Sequence, residues 1–133
     1  MALQAFGFDL TDASNITDLE LYFSIPSIFI LATIQPIGEE IFFRGFLLDK
    51  ISILSDEKTA IIITSVLFGI AHLTYAKVYP AVLTAIVGVL FAFIVVKTKN
   101  LFSSIVAHIT FNVASITFYI LGQMFFNMES LML

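Results

Sequence analysis

Four stretches of the chain contain no Asp, Glu, Lys or Arg: residues 21–38, 59–76, 78–96 and 100–128. Coiled as helix, each is close to or above the roughly 18 to 20 residues that cross a hydrocarbon core. The 133 residues are 59% hydrophobic and 12% charged, with a mean hydropathy of +1.04, well outside the range of an ordinary soluble domain. Four such stretches fill most of the chain. The expectation is therefore a single all-α polytopic membrane domain over residues 1–133, with an acidic segment at 1–20 and a bundle of about four transmembrane helices at 21–128. The first twenty residues hold Asp9, Asp12, Asp18 and Glu20 without a Lys or Arg, so they do not read as a secretory signal with a basic start. The absence of cysteine removes disulfide and thiolate chemistry and leaves only His and carboxylates for any zinc site. Basic residues are few and scattered, which speaks against nucleic acid as a partner.

The first helix is expected from Leu21 to about Asp49 with a kink near Pro36, which cannot donate to the carbonyl of Ala32 and whose ring crowds it. Ser55 is the expected cap of a second helix reaching Leu73. Pro80 suits the first turn of a third helix ending near Val96, and Ser103 or Ser104 the start of a fourth ending near Phe126. On the third, Thr84, Gly88 and Ala92 recur every fourth residue, a stripe of small side chains that admits a close neighbour. Lys50, Lys58, Lys97 and Lys99 follow the first and third helices, against Lys77 alone on the opposite side. The positive-inside rule accordingly puts loops 49–58 and 97–100 in the cytoplasm, for a multi-pass protein expected in the cell membrane.

Five ionisable residues break this pattern: Glu39, Glu40, Arg44, His72 and His108. Charge inside a bilayer costs several kcal/mol or more, so each is by default a functional residue. Counted from the presumed cytoplasmic loops at about 1.5 Å per residue, Glu39, His72, His108 and Asn112 lie roughly 13 to 20 Å deep, in one layer. Glu40 and Arg44 are four apart with the acid first, the favourable order for a pair on one helix face. Glu39 sits about a hundred degrees further round and is expected to lack a partner in its own helix. On the fourth helix Ser104, His108, Asn112 and Ser115 form a polar stripe. Phe68 and His72 share a face of the second, with Gly69 beside them for close approach.

The segments EEIFFR (39–44), FGIAH (68–72) and HITFN (108–112) fit the patterns EExxxR, FxxxH and HxxxN. In this order and approximate spacing, each on its own helix, they resemble the CAAX prenyl protease and bacteriocin-processing (CPBP, also ABI or type II CAAX protease) family of intramembrane glutamate-dependent proteases. The resemblance covers Pro36 to Val113 and implies that residues 21–128 are a four-helix catalytic core. It implies an endopeptidase in which Glu39 is the general base on a water shared with His72, while His108 and Asn112 donate to the developing oxyanion. Glu40, Arg44 and Phe68 would support them, with no metal and no cofactor, and the substrate would be a membrane-associated peptide or protein met in the lipid bilayer. Donors fixed in a low-dielectric site stabilise an oxyanion strongly, which suits that chemistry. Many members have further membrane helices, leaving a minimal member, an oligomer or an excised core as alternatives.

Two other readings stand beside it. Glu39, His72 and His108 could supply three zinc ligands to a membrane metalloprotease, although the HExxH signature is absent. A non-enzymatic partner-binding or immunity protein, or a proton-handling carrier, could keep the same fold. Residue by residue, Glu40 with Arg44 could be a purely structural pair, Phe68 core, each histidine a packing residue and Asn112 an amide that bridges helices.

Overall fold

A computed structural model describes residues 25–73 and 78–131. The acidic segment 1–20, the first residues of the first expected span and Lys77 lie outside the described residues. Helix α1 (Ile25–Glu40) continues without a break into a π-helical segment (Ile41–Leu47) and then α2 (Leu48–Leu54), making one rod. Helices α3 (Glu57–Ala71), α4 (Val78–Thr98) and α5 (Leu101–Leu131) follow. No strand occurs among the described residues. Pro36, where a kink is expected, lies within α1, and the π segment begins beyond it at Ile41. Wider turns of this kind recur beside functional sites.

Capping differs from expectation in both turns. Asp56, not Ser55, caps α3: its carboxylate accepts the N–H groups of Lys58 and Thr59 at 3.0 and 3.1 Å and the Thr59 hydroxyl at 2.6 Å. An anionic acceptor with two oxygens satisfies several donors at the positive end of a helix, which one serine hydroxyl cannot. Ser55 instead closes α2, its N–H and hydroxyl both donating to the Ile51 carbonyl. Asn100, rather than Ser103 or Ser104, starts α5, accepting the Phe102 N–H on its side chain at 2.9 Å. Lys99, at φ 53°, takes the left-handed conformation that ends α4. Helix α3 stops at Ala71, two residues earlier than expected, where the N–H groups of His72 and Leu73 turn back to Gly69 and Ile70.

The interior is more polar than the surface is. Glu40, Arg44, Thr64, Ser65, His72, Thr84, Ser104, His108 and Asn112 are buried, whereas many large apolar side chains, Ile30, Phe42, Phe46, Leu90 and Phe102 among them, are more than half exposed. In water such a surface would be a strong aggregation liability; in lipid it costs nothing, and polar groups turn inward. The fold is an all-α membrane bundle. Helices α4 and α5 are each long and apolar enough to cross a membrane; α3, with 15 residues, is shorter than the expected span.

Small residues set the spacing. Thr84, Gly88 and Ala92 are all buried on α4, as the stripe foretells. A Cβ on Gly69 would lie 2.6 Å from the Ala81 carbonyl oxygen and 2.8 Å from the Ala85 Cβ, so only glycine permits this approach of α3 to α4. Leu48, Ala60 and Ala92, flanked by Ile51, Ile61, Val95 and Val96, close the interior with an apolar cluster. The two turns lie at one end of the bundle, joined by Lys99 and Glu57 at 3.3 Å.

Candidate active site

The π segment and its neighbour α1 carry the acids and the arginine. Glu40 Oε1 accepts from Arg44 at 2.8 Å, with both side chains wholly buried. A second nitrogen of Arg44 donates to the Gly88 carbonyl on α4 at 3.0 Å. Its guanidinium carbon lies 4.2 Å from the centre of the Phe68 ring, a cation–π contact made stronger by desolvation. Gly88 makes room for this, since a Cβ there would come within 3.2 Å of both Arg44 and Phe68. One guanidinium therefore ties the first rod to α3 and α4.

Glu40 also reaches α5. The same Oε1 accepts from His108 Nδ1 at 2.9 Å. A carboxylate oxygen only accepts, so Nδ1 of His108 carries a hydrogen and Nε2 is left facing inward. His72 is fixed in the same sense: Nδ1 is 2.7 Å from the Phe68 carbonyl oxygen and must donate to it. Aromatic contacts hold both rings, Phe68 against His72 at 4.5 Å and Phe91 stacked on His108 at 4.6 Å.

Glu39 lies between the two free nitrogens. Its Oε1 is 3.8 Å from His72 Nε2, and its Oε2 is 3.7 Å from His108 Nε2. Both distances exceed a direct hydrogen bond and are short enough for one water oxygen to touch both partners. Glu39 Oε2 is buried with no hydrogen-bond partner among the described residues. The expectation that Glu39 lacks a partner in its own helix is corrected: Gln35, one turn earlier, donates Nε2 to Oε1 at 2.9 Å.

Asn112 is buried one turn beyond His108, and its amide nitrogen is 3.5 Å from the Ala32 carbonyl oxygen. This is the carbonyl that Pro36, lacking an N–H, leaves without its helical donor. Ser104 is buried with its hydroxyl on the Leu101 carbonyl. Ser115 leaves the stripe: it is exposed, and its hydroxyl bonds the Phe111 carbonyl at 2.7 Å, so it needs nothing from a neighbouring helix. Phe68 is in the core, touching Arg44, His72 and His108 through its ring.

Two contributors were not singled out from sequence. Gln35 had a legible signal, an amide four residues before an acid. Phe91 had none, because an aromatic in so apolar a helix looks like any other. Among the described residues no three His, Asp or Glu side chains are set to hold one metal ion together.

A family model described as "Type II CAAX prenyl endopeptidase Rce1-like" matches residues 21–114, a stretch that includes all three motifs. No curated protein and no solved structure matches the chain.

Proposed function

The chain belongs to the Rce1-like family of type II CAAX prenyl endopeptidases, and from that premise we propose that it hydrolyses a peptide bond of a membrane-associated substrate with a water activated by Glu39. The observation that carries this reading is the Glu39 carboxylate between His72 Nε2 and His108 Nε2, at 3.8 and 3.7 Å. A water held by Glu39 and His72 gives a proton to the carboxylate as its oxygen adds to the substrate carbonyl. Charge then builds on the carbonyl oxygen, where an Nε2–H of His108 and the second N–H of the Asn112 amide would donate. His108 can do so only when doubly protonated, because its Nδ1–H is already committed to Glu40. Collapse of the intermediate returns the proton from Glu39 to the departing amine.

The step needs no metal and no cofactor. We place the protein as a multi-pass bundle in the bilayer, the turns at 49–58 and 97–100 on the cytoplasmic side, acting alone or as an oligomer. The test uses purified protein in liposomes and two probes, a farnesylated peptide ending in a CAAX sequence and an unprenylated transmembrane peptide. Cleavage of either by wild type and none by Glu39→Gln is expected, with the variant still folded, since it loses a buried charge. Full cleavage by Glu39→Gln would sink the glutamate base. Loss with chelator and recovery with zinc would make the same side chains metal ligands.

A further inference from the structure

Gln35 stands outside all three motifs, yet its side chain hydrogen-bonds Glu39 from within α1. Its Nε2 donates to Glu39 Oε1 at 2.9 Å, on the inner side of a turn closed by the buried Pro36. A glutamate has three side-chain torsions, and Glu39 has no other direct hydrogen bond among the described residues: the histidine nitrogens are 3.7 and 3.8 Å away and Oε2 has no partner there. The amide thus does what Arg44 does for Glu40, but with a neutral donor that leaves the negative charge in place. It also makes the two oxygens unequal. Oε1 already accepts one hydrogen, whereas Oε2 keeps all its acceptor capacity and faces His108.

We propose that Gln35 is the positioning residue of the general base, its amide anchoring Glu39 through Oε1 so that the carboxylate stays between His72 and His108. The inference rests on the glutamate-base reading, and its test separates the two. Gln35→Met keeps the length and approximate volume without a donor; Gln35→Glu keeps the shape but sets a second acceptor against Glu39. In liposomes with the same two peptides, Gln35→Met should lower kcat about ten- to a hundredfold with KM unchanged, the scale of a misplaced catalytic group. Gln35→Glu should lose more. A substrate-free readout accompanies this: the infrared carboxylate band of Glu39, isolated by subtracting the Glu39→Gln spectrum, should shift and broaden in Gln35→Met. A purely structural role would instead lower the thermal midpoint and leave both kcat per folded enzyme and the band unchanged. Wild-type kcat in Gln35→Met, or an unshifted band, overturns the proposal while an inactive Glu39→Gln leaves the glutamate base standing. An active Glu39→Gln overturns both.

Discussion

Arg44 meets three partners with one guanidinium: the Glu40 carboxylate, the Gly88 carbonyl and the face of Phe68. None of the three can be replaced by water, because the group is buried. Arg44→Ala should therefore destabilise the bundle by about 3 to 5 kcal/mol, the cost of leaving a buried charge without its partner. Adding Glu40→Gln should restore part of that loss, measured as thermal unfolding in detergent; a single variant as stable as wild type would mean the pair is not sealed from solvent. Asn112 calls for a different outcome. Asn112→Ala should leave residual cleavage about a hundred- to a thousandfold below wild type, the usual loss for one oxyanion donor, where Glu39→Gln leaves none.

Helix α1 carries a conflict between its own stability and the site. Pro36 deletes one helical hydrogen bond and thereby frees the Ala32 carbonyl for Asn112, 80 residues away in sequence. Pro36→Ala would restore an N–H that competes for that carbonyl. The gain in helix is about 3 kcal/mol, while the lost burial of the proline ring offsets roughly 1 to 2 kcal/mol of it, so the variant should melt higher. It should also cleave more slowly, since Asn112 loses its anchor; unchanged turnover would show that the 3.5 Å contact does not orient the amide. At the other end of the bundle, Asp56 caps α3 and its carboxyl is held below the ordinary range, first by the Thr59 hydroxyl and then by backbone N–H groups. A depressed carboxyl contributes stability above the unfolded value, near pH 4, and loses it as pH falls through the lower folded value. Asp56→Asn should thus flatten the acid dependence of unfolding in that window, an effect kept small by solvent exposure.

Across the whole molecule, the exposed apolar side chains and the buried polar ones exchange the places they hold in soluble proteins. That inversion fits an all-α membrane bundle, and among the described residues the buried charges Glu40 and Arg44 hold helices together. The Lys99–Glu57 contact puts both described turns on one side. Because the chain has no cysteine, single cysteines at Lys58 and Lys99 should react with a membrane-impermeant maleimide from the same face of a sealed vesicle, the cytoplasmic one. Labelling from opposite faces would break this topology.

What can be read without a structure is whatever repeats along one helix. Apolar runs announced the membrane bundle, the four-residue step from Glu40 to Arg44 announced their pair, and the small residues of α4 announced the close approach of a neighbour. The motifs at 39–44, 68–72 and 108–112 announced the family to which the chain belongs. Caps proved harder, since Ser55 and Asp56, or Asn100 and Ser103, compete within a residue or two and local spacing cannot rank them. Tertiary structure alone decided which atoms face one another: that both histidines spend Nδ1 outward and present Nε2 to Glu39, that Arg44 borrows a carbonyl from α4, and that Phe91 lies on His108. Each of these depends on the rotation of one helix against another, which packing settles between residues far apart in sequence and which no periodicity within a single helix records.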